Sequence, residues 1–180
     1  MFSLIWISFS GESVLKIFVE CNVDGEVIKF VLRKIGISES FVEHERGKNR
    51  VIKKTINSPR SIGLIDEDPW AIMPKEMKEL KEESKDSSLY RILQIAVYYS
   101  EKHSRIIMLK PRIEEWLIRL CKLSKIDYTK YGLPSDISIL KKVINVKLRA
   151  IQKLLEVLFE KSDYFREFIS VVNRMVEEIN

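Results

Sequence analysis

Residues 14–21, VLKIFVEC, form a short run of β-branched and aromatic side chains, the composition of a strand. The period then changes. In DGEVIKFVLRKIG, residues 24–36, the positions Val27, Ile28, Val31, Leu32 and Ile35 recur on one helical face, and Gly36 stops the pattern. SFVEH at 40–44 reads as a second strand, GKNRVIKKTIN at 47–57 as a short basic helix, and RSIGLID at 60–66 as a third strand. This β-α-β-α-β order predicts an α/β fold, a parallel sheet with helices on its faces. The polar stretch 73–88 predicts a loop or an exposed helix, and SLYRILQIAVYYSEK at 88–102 a helix. RIIMLK at 105–110 reads as a fourth strand, and PRIEEWLIRLCKL at 111–123 as a helix with Pro111 near its start, where a missing N–H costs least. From Leu140, positions 140, 143, 144, 148, 151, 154, 155 and 158 keep one helical stripe, and 165, 168, 169, 172, 175, 176 and 179 keep another. These predict a helical hairpin turning at 160–164, with Ser162 or Asp163 as N-cap. The expected organisation is an α/β domain over 1–124 and a helical C-terminal extension over 125–180.

Composition narrows the class. With 180 residues, 46% hydrophobic and 32% charged, the chain has the balance of a globular domain rather than a disordered one. Only 6 Gly and 5 Pro leave room for few long loops. Lys and Arg number 31 against 26 Asp and Glu, so the +5 net charge permits a nucleic-acid partner without requiring one. Cys21 and Cys121 stand far apart, and two histidines, His44 and His103, complete no zinc set; a reducing, cytoplasmic setting is expected. The opening MFSLIWISFSGESV lacks a basic leader and carries Ser3, Ser8 and Ser10, so it reads as a strand or packing arm, not a signal peptide or membrane span.

The candidate chemistry is acidic. In SIGLIDEDPW, an apolar strand ends in Asp66-Glu67-Asp68, and Pro69 forbids its continuation. Open α/β sheets form their sites outside the carboxyl ends of the strands. There the first strand delivers Glu20, the next helix Asp24, and the third strand Asp66 and Asp68. The helix after the fourth strand carries Glu114 and Glu115 in its first turn. Crowded carboxylates repel and resist desolvation, which a divalent cation relieves. Mg²⁺ (or Mn²⁺) needs only one or two protein carboxylates beside water and phosphate. Asp66 and Asp68 would hold the ion if Glu67 points away, with Glu20 as a further ligand or as general acid or base. The plainer alternatives are solvated strand ends, helix capping by Asp24 and dipole compensation by Glu114 or Glu115. The segment 46–60 carries six Lys and Arg residues and no acid. It reads equally as a solvated helix face or as a phosphate-binding edge, with Lys48 and Arg50 at a helix start. Trp6, Trp70 and Trp116 read as core or rim packing rather than base-stacking platforms.

IFVECNVDGEVIKFVL followed by RSIGLIDED resembles the Toprim fold shared by topoisomerases, primases and nucleases of the overcoming-lysogenisation-defect type. That family places a Glu at the end of the first strand and Asp-x-Asp at the end of the third, here Glu20 and Asp66/Asp68. GKNRVIKKTI resembles the family's middle segment and LKPRIEEWLI the later acidic helix of small Toprim-like proteins, so the likeness spans roughly 14–120. Cys21 departs from the Gly usual after the Glu, and no Gly follows Asp68 closely. The resemblance implies a Mg²⁺-dependent phosphodiester-processing enzyme, a nuclease acting on DNA or RNA, working alone, as a homodimer or with a separate partner protein. The alternative is a non-catalytic Toprim-like module that binds nucleic acid or a protein partner. A phosphohydrolase fits less well, because its nucleophilic Asp ordinarily ends the first strand, where this chain has Glu20.

Overall fold

The computed structural model describes residues 15–70, 72–83 and 87–179, so the arm read in residues 1–14 lies outside the described residues. Three apolar runs and the short VEH segment form the parallel strands β1 (Lys16–Val19), β2 (Val42–His44), β3 (Ser61–Asp66) and β6 (Arg105–Leu109). Two more strands, β4 (Lys81–Glu82) and β5 (Ile95–Tyr99), extend the sheet antiparallel, giving the order β2-β1-β3-β6-β5-β4. Helices α1 (Asn22–Lys34), α4 (Ile113–Leu123), α6 (Leu148–Lys161) and α7 (Asp163–Ile179) share one core with one face of the sheet. Helix α2 (Lys48–Asn57) covers the other face, where Val51, Ile52 and Ile56 meet Phe18, Ile65 and Met108.

Three sequence expectations change. The helix expected over 88–102 ends early: α3 (Ser87–Leu93) stops at Gln94, which takes φ 51°, and Ile95–Tyr99 becomes β5. The run IAVYY suits a pleat because its period is two. Ile95 and Val97 enter one core and Ala96 the other, so both faces of the strand are used. The polar stretch after Met73 also yields the short β4 beyond a 3₁₀ turn at Lys75–Glu79, which no apolar pattern announces. The stripe expected to run unbroken from Leu140 divides into α5 (Ile137–Val143), a 3₁₀ turn at Ile144–Val146, and α6. At that break Asn145 reaches across to α1, its Oδ1 accepting the Val23 N–H at 3.3 Å.

The hairpin of α6 and α7 turns at Ser162, whose Oγ accepts the Phe165 N–H at 3.2 Å and the Ser124 hydroxyl at 2.6 Å. Phe165 and Phe168 bury their rings against Trp116, with centroids 6.5 Å and 4.8 Å away. The Trp116 indole N–H is satisfied by Leu93 O at 2.8 Å, so burying this polar tip leaves no unmade bond. On the opposite face α2 rides unusually close to β3. A Cβ on Gly63 would stand 2.5 Å from Thr55 Oγ1 and 3.1 Å from Val51 Cγ1. Thr55 is buried with its hydroxyl on Val51 O at 2.8 Å, so it has no free rotamer into which to retreat. Gly63→Ala is therefore expected to destabilise the fold by about 1–3 kcal/mol, measured by urea unfolding; an unchanged midpoint would show that α2 can lift away without cost.

Candidate functional site

Parallel register places the ends of β1 and β3 side by side: Val19 lies opposite Leu64, and Asp66, the last residue of β3, opposite Leu109 of β6. The next residue after β1, Glu20, accepts the Asp66 backbone N–H at 3.1 Å through Oε2. Helix α1 begins just beyond. Cys21 is its N-cap, and Asp24 closes a capping box by accepting the Cys21 N–H at 3.0 Å. Cys21 thus has a structural role at the position where the Toprim pattern has Gly. Asp24 caps from inside the first turn, because α1 starts two residues earlier than its apolar pattern suggests. Helix α4 starts on the other side of Asp66 and contributes Glu114, only 8% exposed. Glu20, Asp24, Asp66 and Glu114 are therefore the sequence-predicted acids that the fold gathers.

Their electrostatics show the crowding. Burial pushes Asp24, 1% exposed, up to about 7, and the charges of Glu20 and Glu114 push the same way. Burial pushes Asp66 up to about 8, reinforced by Asp24, Glu20 and Glu114, while the Ile113 N–H at the start of α4 opposes it. Glu20 is raised by burial, with the Asp66 N–H and the charge of Lys48 pulling down; Glu114 is also raised by burial. Asp24 Oδ1, Asp66 Oδ1 and Glu114 Oε2 are shut off from solvent with no hydrogen-bond partner. Orphaned carboxylate oxygens of this kind are what a hard cation satisfies. As the side chains lie, no three His, Cys, Asp or Glu among the described residues converge as a ready metal cage. Mg²⁺ does not need one, since one or two carboxylates serve it when water and phosphate fill the other positions.

The remaining predicted residues stand apart from this group in different ways. Asp68 takes φ 44° and bonds Arg112 Nη2 at 2.6 Å, and that guanidinium holds its carboxyl below the usual range. Glu67 leans the other way, 4.0 Å from Lys110 Nζ. Glu115 is paired with Lys141 of α5 through Oε1, while its Oε2 is also shut off from solvent with no hydrogen-bond partner. Lys48 stands at the site, its Nζ donating to Glu67 O at 2.7 Å. Arg50 is exposed one turn-face away, with no bond to the acids among the described residues. Lys53 and Lys54 of the same basic run are engaged by Glu76 and by Glu43 and Glu45. Trp116 is core as expected, but Trp70 is 92% exposed on the loop after β3, and Trp6 lies outside the described residues.

Sequence reasoning missed Arg112 and Asn145. Arg112 had a signal, a cation directly after Pro111 and before two acids at a helix start; Asn145 sits inside an apolar stripe and had none. No family model matches the chain, and no curated protein or solved structure is significantly similar to it. No helix among the described residues is long and apolar enough to cross a membrane.

The raised acids set a pH dependence. Between the ordinary Asp value near 3.8 and about 8, the folded chain holds protons that the unfolded chain has lost, so stability falls as pH rises through that window. Each retained proton contributes a slope of up to about 1.4 kcal/mol per pH unit. Metal-free protein is expected to melt at a higher temperature at pH 5 than at pH 8, and Asp66→Asn to flatten the difference. Thermal melts across that range check it; a melting temperature that rises steadily toward pH 8 in both proteins would contradict the assignment.

Proposed function

We propose that this chain is a Mg²⁺- or Mn²⁺-dependent phosphodiester-processing enzyme, a nuclease of the Toprim type acting on DNA or RNA. The observation that carries this reading is the trio of buried, partnerless carboxylate oxygens on Asp24, Asp66 and Glu114, beside Glu20 at the carboxyl edge of a parallel sheet. Asp66 and Glu20 would hold the ion. Once bound, it would supply Lewis-acid neutralisation of the charge that develops on phosphodiester oxygens.

The protein's own groups divide the other tasks. The Asp66 N–H orients the Glu20 carboxylate. Asp24, locked in the capping box and pushed up by burial, stands beside the site as a carboxyl that gives up its proton less readily than an ordinary Asp. Lys48 presents an ammonium at the rim, where it offsets the negative field and meets a phosphate. Arg112 holds Asp68, so Asp68 serves as a ligand only after giving up that partner. That ion pair, with the absence of three convergent ligands among the described residues, favours one second reading, a Toprim-like module that binds nucleic acid or a protein without cleaving it.

Metal dependence separates the two. Titration calorimetry with Mn²⁺ at pH 7 is expected to show one site and release of about one proton, read from the heat in buffers of different ionisation enthalpy. Asp66→Asn should weaken metal binding at least tenfold and abolish cleavage across a mixed DNA and RNA panel. Wild-type protein that binds no metal in the presence of nucleic acid would leave the binding module as the function.

A further inference from the structure

The C-terminal helices bring more to the carboxyl edge than packing. The turn between α5 and α6 is braced on both helices that frame the acids: Asn145 Oδ1 holds the Val23 N–H of α1 at 3.3 Å, and Lys141 pairs with Glu115 of α4. Directly after Asn145 the chain lines a cleft of about 450 Å³ with Val146, Lys147, Arg149 and Lys153, facing Tyr131. Lys147, Arg149 and Lys153 are exposed and make no ion pair or side-chain hydrogen bond among the described residues.

That isolation is unlike much of the surface, where Arg33 meets Glu39, Lys34 meets Glu156 and Arg105 meets Glu178. Residues 137–155 contain Lys141, Lys142, Lys147, Arg149 and Lys153 and no Asp or Glu. Lys147 and Arg149 stand at the start of α6, which has no acid in its first turn and no side-chain cap, and Lys153 follows in the next turn. Like charges at the positive end of a helix repel one another and the helix dipole. A polyanion removes both penalties, and an aromatic ring beside the cations offers a stacking face for a base.

We infer that this cleft binds the phosphodiester backbone of a single-stranded nucleic acid and leads the strand across the Asn145 turn toward Glu20 and Asp66. The cleft has the size of about one nucleotide, and the Tyr131 ring offers its face to an unpaired base, which a duplex keeps stacked inside. Only the direction of the strand rests on the phosphodiester reading of the acidic site; the binding itself does not.

The test is fluorescence anisotropy with labelled oligothymidine and oligouridine of roughly 12 nucleotides, using the full chain and Lys147→Gln/Arg149→Gln/Lys153→Gln. The variant is expected to bind about tenfold more weakly near 0.1 M salt. Its plot of log affinity against log salt should be shallower by about 2, three phosphate contacts at about 0.7 each. Because the substituted side chains are exposed, circular dichroism should be unchanged, and Mn²⁺ binding should match the wild type. Equal affinity and slope in variant and wild type would overturn the inference, as would wild-type protein that binds neither oligonucleotide. Displacement by polyglutamate at matched charge would assign the cleft to an acidic protein, and stronger displacement by duplex would exclude the single strand; either overturns it. Asp66→Asn separates this result from the metal reading: it should bind oligonucleotide normally. Retained, cleft-dependent oligonucleotide binding in a protein that holds no metal would sustain the cleft while removing the enzyme.

Discussion

Parallel pairing of β1 with β3 sets Val19 opposite Leu64 and sends both chains out of the sheet at the same edge. Everything acidic about the site follows from that register. Glu20 and Asp66 are brought within one hydrogen bond of each other, and the helices that cover the sheet must start where the strands end. Asp24 and Glu114 arrive in the first turns of α1 and α4, where helix dipoles favour negative charge. The dipoles soften the crowding without removing it. Asp24 remains pushed up by burial, Glu20 and Glu114, and Asp66 by burial, Asp24, Glu20 and Glu114, so the edge is a place where protonation and cation binding compete for the same oxygens.

The C-terminal helices are part of this arrangement rather than an addition to it. Phe165 and Phe168 complete the aromatic packing around Trp116, on the helix that carries Glu114. Asn145 and Lys141 touch the first turns of α1 and α4. The acids are thus held from below by the sheet and from one side by the tail. A shift of α6 or α7 would be felt at Glu114 through Trp116, a rigid side chain with its only polar atom already engaged.

Much of this was legible because it depends on short-range pattern. The β-α-β-α-β order is written in the change of period between residues 16 and 66, and Glu20 and Asp66 are strand-end residues that any parallel pairing must juxtapose. IAVYY was harder. A run of eight or more apolar and polar residues across 88–99 satisfies a helical face as well as a pleat, and only the open side of β6 decides for β5. The break at Asn145 was invisible because its cause is a contact with Val23, 122 residues away. Asp68 illustrates the same limit: two residues from Asp66 it looked equivalent, yet φ 44° and Arg112 give it a different environment. The Toprim resemblance rests on Glu20 and Asp66/Asp68 at two strand ends and on the segments GKNRVIKKTI and LKPRIEEWLI.

Among the described strands, the two that end the sheet are its shortest. β2 has three residues, including Glu43 and His44, and β4 has two, Lys81 and Glu82. Glu43 is also drawn toward Lys16 and Lys54, which clothe that margin in charge. Short, charged margins are poor templates for another chain's backbone. Among the described residues, the margins of the sheet thus offer another chain little backbone to pair with, and recognition falls to side chains at the ends and faces of the fold.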